Sequence, residues 1–255
     1  MKKNATFLVA LTSLVVVSTG YGLTFTASKP GDNPGETLKA KATFVVSNLD
    51  LVVTLENTAT FDPNDQADIL TAIIFNMQGN PKLIPVSAEL GPDSSLIARK
   101  LPRGFDGDVG GEWAYRNGLT KTPQGANEGI STANLKWFAN KKYLFPGDNL
   151  QGGKAPSGIN FGLTTLNDFP GNNKGGLKNQ PVIKTEVVFT FAGLPENFDL
   201  SSITDVTFQY GKSLKHDPEI AGEVFDVIPE PSTITLVAAG LLGAVAFARR
   251  RIPQR

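Results

Sequence analysis

Cysteine is absent from the 255 residues, and histidine occurs once, at His216. The first absence excludes disulfides, thiolate metal sites and cysteine nucleophiles; the second excludes a histidine-rich metal site built within one chain. Neither sign of charge is in excess, because 24 basic and 24 acidic residues cancel. The balance is nevertheless uneven along the chain. With Lys2, Lys3, Glu230, Arg249, Arg250, Arg251 and Arg255 set aside, the stretch between the ends carries about −5, which argues against a broad phosphate-binding surface and against a nucleic-acid partner. No Gly-x-Ser-x-Gly elbow and no phosphate-binding glycine loop is present. Sustained helical periodicity is missing outside the two hydrophobic ends.

What is present begins with those ends. Met1-Lys2-Lys3, an apolar stretch from Ala5 to Val17 and small residues beyond it have the layout of a secretory signal peptide, assigned to residues 1–22 with cleavage after Gly20 or Gly22. At the other end, Ile234 to Ala248 is a run of fifteen uncharged residues. That is shorter than the roughly 20 residues of an ordinary membrane helix and predicts a short transmembrane span. Gly240 and Gly243 suit a membrane helix better than a soluble one, and Arg249, Arg250 and Arg251 form a basic stop that stays cytoplasmic. Everything before Pro229 is then placed outside the cytoplasm. Pro229 and Pro231 have fixed φ and no N–H, so the segment between fold and span is kept extended and open to a processing enzyme. Glu230 adds a charge that does not enter a bilayer readily.

Pro229-Glu230-Pro231, the Ser-Thr that follows, the short glycine-containing span and the arginine-rich end resemble the PEP-CTERM sorting signal of Gram-negative bacteria, here residues 228–255. The resemblance implies an exosortase as partner, processing at the Pro-Glu-Pro segment, transient residence in the inner membrane, and delivery to the cell surface or an extracellular polysaccharide matrix.

Between the ends, period-2 patterning predicts an all-β ectodomain over residues 37–227, a β-sandwich or jelly roll, preceded by a Gly/Pro/polar linker over 23–36. Leu38, Ala40, Ala42, Phe44 and Val46 alternate with Thr37, Lys39, Lys41, Thr43 and Val45. After a two-residue gap at Ser47-Asn48, the second arm of a hairpin places Leu49, Leu51, Val53 and Leu55 on one side. Further strands are predicted at 70–77, 83–90, 159–165, 183–191 and 203–210. Residues 103–180 read as long loops of the same domain, with strand character only at Trp113 to Arg116 and Ile159 to Thr165. The segments "LDLVVTLENTAT", "DILTAIIFNMQGNPKLIPVSAEL", "GGEWAYR" and "TDVTFQYG" resemble the ectodomain of a group of exosortase-dependent surface proteins of unknown biochemical role, a resemblance that supplies no catalytic residues.

Candidate sites are few. Asp106, Asp108 and Glu112 on a glycine-rich loop offer oxygen ligands of the kind calcium takes, although their spacing is not that of an EF-hand; a solvated turn is the competing reading. Asp62, Asn64, Asp65 and Asp68 form a similar group made of ordinary turn residues. Trp113, Tyr115, Trp137, Phe138 and Tyr143 could stack sugar rings, or could face the core. His216 stands beside Asp217 with no nucleophile near in sequence. No carboxylate pair is singled out for glycoside hydrolysis. The expected role is therefore structural or interactive, without catalysis or a required cofactor. A carbohydrate-binding module comes second and a secreted hydrolase third.

Overall fold

Along Asp50–Asn57 every second side chain is fully buried, and along Thr37–Ser47 the same alternation holds through Phe44. Strict alternation buries one face of a strand and leaves the other to solvent, and both strands lie in one sheet. The computed structural model describes residues 22–225 except 99–103, 121, 138–141, 146, 153, 155, 157, 168–176, 178 and 214–216.

Among the described residues there are sixteen strands, numbered β1 to β16 in chain order. The first sheet contains β1 (Gly22–Pro30), β2 (Thr37–Ser47), β3 (Asp50–Asn57), β5 (Ile84–Leu90), β13 (Glu186–Ala192) and β16 (Glu223–Phe225). Its order is β16-β1-β2-β3-β13-β5, and every neighbouring pair is antiparallel. The second sheet contains β4 (Leu70–Met77), β6 (Ser95–Ile97), β7 (Ala114–Asn117), β8 (Glu128–Ser131), β11 (Leu163–Thr164), β12 (Val182–Lys184), β14 (Ile203–Tyr210) and β15 (Glu219–Ala221). Its order is β15-β14-β4-β11-β12-β6, with β8 also on β4 and β7 on β8. A separate two-stranded ribbon pairs β9 (Lys136–Trp137) with β10 (Lys142–Tyr143).

The sheets pack face to face, as three aromatic contacts record. Phe44 of β2 meets Phe75 of β4 edge-on with centroids 5.1 Å apart, Trp113 meets Phe189 of β13 at 5.0 Å, and Tyr115 of β7 lies 4.8 Å from Phe191 of β13. Such pairs contribute about 0.5–1.5 kcal/mol beyond the area they bury. Strand β4 is buried on both faces. Ile73, Phe75 and Met77 enter the core between the sheets, while Ala72 and Ile74 point the other way into a smaller cluster with Leu119, Ala126, Leu135, Leu144 and Phe145. The glycine- and asparagine-rich segments after β7 thus cover the outer face of the second sheet.

Six details of the sequence reading are corrected here. The linker expected over 23–36 is mostly strand: Leu23, Phe25 and Ala27 of β1 are buried, and only residues 31–36 connect β1 to β2. Gly22, assigned to the signal peptide, pairs with Val45. The β2–β3 turn is Asn48-Leu49, one residue later than expected, since Ser47 pairs with Asp50. Asn48 takes φ 58°, a left-handed position that asparagine tolerates, and Leu49 is 47% exposed instead of facing the core. Of the strand expected at 159–165, only Leu163–Thr164 pairs; Phe161 has φ 60°, which breaks the extended backbone before it, and Gly162 stands where a side chain would clash with Ile69. Between 103 and 180 the fully buried strand β8 was missed; it is short and lies between β4 and β7.

The sixth correction concerns 183–191, expected as one strand. The chain breaks at Thr185, where φ is 85°, and crosses from β12 in the second sheet to β13 in the first. A β-branched residue in that region is strained. The neighbouring chain holds it: Thr185 Oγ1 donates to the Asp93 carbonyl at 3.3 Å, and its own carbonyl accepts from the Asn57 amide at 3.3 Å.

Candidate functional site

Strand β16 runs antiparallel to β1, with Thr24 opposite Phe225 and Thr26 opposite Glu223. The first described residue, Gly22, and the last, Phe225, therefore lie at the same end of adjacent strands. Of the signal peptide expected over 1–22, residues 1–21 lie outside the described residues, as do the expected processing residues Pro229, Glu230 and Pro231, the expected short span, the expected stop residues Arg249, Arg250 and Arg251, and Phe138 and His216. Three residues, Asp226 to Ile228, separate the final strand from Pro229.

The polar centre that sequence reasoning missed is at the same end of the sandwich. Glu128 opens β8 opposite Asn117 of β7 and Phe75 of β4, on the face turned toward the first sheet, and has no exposed surface. Its Oε2 accepts from the Tyr115 hydroxyl at 2.5 Å and its Oε1 from Asn117 Nδ2 at 2.6 Å. Asn117 Nδ2 also reaches Asn80 Oδ1 at 3.0 Å and the Pro81 carbonyl at 3.2 Å, which ties β7 to the β4–β5 turn. Asn127 donates to and accepts from the backbone of Met77, continuing the ladder of β4 by one side chain. Burial pushes Glu128 up to about 7 against the pull of the Tyr115 and Asn117 hydrogen bonds. Burial and the adjoining Glu128 also push the Tyr115 hydroxyl up. One signal was available: Tyr115 and Asn117 are two apart on a strand, hence on one face, and Glu128 interrupts a run of small residues.

The two acidic loops are occupied by internal hydrogen bonds. Asp65 caps the short helical turn Gln66–Asp68 by accepting from the Ala67 amide at 2.6 Å. Asp68 Oδ2 accepts from the Asn64 and Asp65 amides at 2.6 and 3.0 Å, and Asn64 Nδ2 donates to Glu36 of the β1–β2 connection at 2.7 Å. Burial pushes Asp68 up to about 6 against those backbone hydrogen bonds, with the charges of Asp65 and Glu36 adding to the rise. Asp62 accepts from Asn167 at 3.4 Å. In the second loop, Asp106 accepts from the Asp108 amide at 3.2 Å and Asp108 from the Gly110 amide at 2.8 Å, while Gln151 Nε2 binds the other Asp108 oxygen. Burial raises Glu112 above the usual carboxylate range, and nearby Lys154 opposes this. This loop extends the first sheet, because the Leu90 amide donates to the Gly107 carbonyl and the Val109 amide to that of Ala88. No three acidic or histidine side chains converge as a metal site among the described residues.

The aromatic candidates separate. Trp113 is fully buried against Phe189, so the sugar-stacking role considered for it is corrected: a ring without exposed surface cannot receive a ligand from solvent. Tyr115 is half-buried on Phe191 with its hydroxyl committed to Glu128. Trp137 pairs with Lys142 and Tyr143 with Lys136 in the two-stranded ribbon.

Residues 227–251 match the family model described as the PEP-CTERM protein-sorting motif. No curated protein matches the chain. The motif supports an exported protein sorted through the membrane to the cell surface with an exosortase as its processing enzyme.

Proposed function

We propose that the chain is a cell-surface or extracellular-matrix protein whose all-β ectodomain has a structural or interaction role after exosortase processing at Pro229 to Pro231. The observation that carries this reading is the sorting motif, which starts within three residues of the last strand of a sandwich. A non-catalytic role is supported by how the two carboxylates pushed up to about 7 and about 6 are used: Glu128 holds Tyr115 and Asn117, and Asp68 holds a helical turn. Intact mass spectrometry of the protein from the surface or medium, compared with the membrane fraction, tests the proposal. Loss of everything beyond the Pro-Glu-Pro region is the expected result, whereas a retained span and arginine tail in all fractions would overturn it.

Carbohydrate binding by the ectodomain rests on Trp137 and Tyr143, since Trp113 and Tyr115 are turned to the core. Matrix-polysaccharide binding that disappears in Trp137→Ala would establish it, and binding unaffected by that change would remove it.

A further inference from the structure

We propose that processing at the Pro-Glu-Pro segment requires β16 to separate from β1, so that folding of the last strand and access to the cleavage region compete. The proposal rests on the sorting reading above. Its basis is the length of the tether between fold and motif, Asp226 to Ile228, whose three residues reach at most about 10 Å at full extension. An enzyme embedded in the membrane must take an extended substrate while a folded sandwich stands that close to the bond it cuts.

Strand β16 can be given up. It is three residues long, lies at the edge of its sheet, and among the described residues pairs with β1 alone, through Thr24, Phe25 and Thr26. Glu223 is exposed and Val224 is 63% exposed, so these two side chains bury little apolar surface. Strand β1 does not depend on it, since all nine of its residues pair with β2. Peeling has a defined stop. The Gly222 amide donates to the Val206 carbonyl at 2.7 Å, a side chain placed at Gly222 would crowd Phe208, Phe25 and Val206, and Ile220 two residues earlier is buried in the core. Release up to Gly222 adds Glu223 to Phe225 to the tether and doubles its reach to about 20 Å. On the other side, Pro229 and Pro231 have no N–H, so the ladder cannot spread from β16 into the motif.

The test is a lock. Thr26 and Glu223 are directly opposite, where Cβ atoms lie about 4.5–5.5 Å apart, and a Thr26→Cys, Glu223→Cys pair in the full-length chain would form the sole disulfide after export. The expected result in the host is loss of the processed form, with full-length chain held in the membrane, and recovery on adding reductant. The single-cysteine variants are processed as the parent. Six Gly/Ser residues inserted between Asp226 and Val227 of the locked chain, which leaves the matched motif intact, restore processing without reductant. Processing of the locked chain at the parental rate would overturn the proposal, as would failure of the insertion to rescue it. Normal processing of an unlocked Pro229→Ala, Pro231→Ala chain would instead remove the sorting reading itself, whatever the lock does.

Discussion

The hydroxyl of Tyr115 donates a 2.5 Å hydrogen bond to Oε2 of Glu128, a carboxylate with no exposed surface that lies between β4 and β7. The folded domain holds this group's proton more tightly than the unfolded chain does, since burial raises Glu128 from 4.5 to about 7. Protons bound preferentially by the folded state stabilise it in acid, and that stability is lost as pH rises from the unfolded value through about 7. Asp68, raised to about 6, acts in the same direction at slightly lower pH. Denaturant unfolding at pH 5, 6, 7 and 8 is expected to show stability falling across this range, with the upper part of the slope flattened in Glu128→Gln. A stability that rises from pH 5 to pH 8 would contradict the burial argument.

Trp113 fills the core between the sheets with its ring on Phe189. Trp113→Ala should destabilise the domain by about 3–5 kcal/mol, as large-to-small changes of a buried aromatic do. Denaturant unfolding measures it, and a change under 1 kcal/mol would mean that the ring is not in the core.

Thr185 holds φ 85° where β12 hands the chain to β13. Glycine adopts that conformation without strain, so Thr185→Gly should raise stability by about 1 kcal/mol in spite of the lost bond to Asp93. A lower melting temperature for this variant would show that the side-chain bond outweighs the strain.

Millimolar calcium should leave the melting temperature unchanged. The oxygens of Asp65, Asp68 and Asp108 already accept hydrogen bonds from nearby amides, so a cation would have to displace them. A clear upward shift by differential scanning fluorimetry would reinstate one of the loops as a site.

Replacing Arg249, Arg250 and Arg251 with neutral residues should weaken membrane retention or misorient the tail, because the positive charges set which side they stay on. Protease accessibility of an epitope placed after Arg255 checks this; parental topology and processing would count against the basic-stop role.

The sequence by itself determined the features that arise from neighbouring residues. Strand alternation at Leu38 to Phe44 and Leu51 to Leu55 was legible because pleating is a local, period-2 property. The sorting tail was legible because its signal is a contiguous string of prolines, apolar residues and arginines. Tertiary structure decided what depends on partners far along the chain. Residues 183–191 look like one strand until pairing sends Val182–Lys184 to β6 and β11 and Glu186–Ala192 to β3 and β5. Leu23 to Ala27 reads as part of a linker until β2 offers it an edge and the second sheet covers its inner face. Trp113 and Glu128 show the same limit more sharply. Which face of a strand is buried, and whether a carboxylate is trapped there, is settled only when two sheets meet, and that meeting depends on contacts no local window of sequence contains.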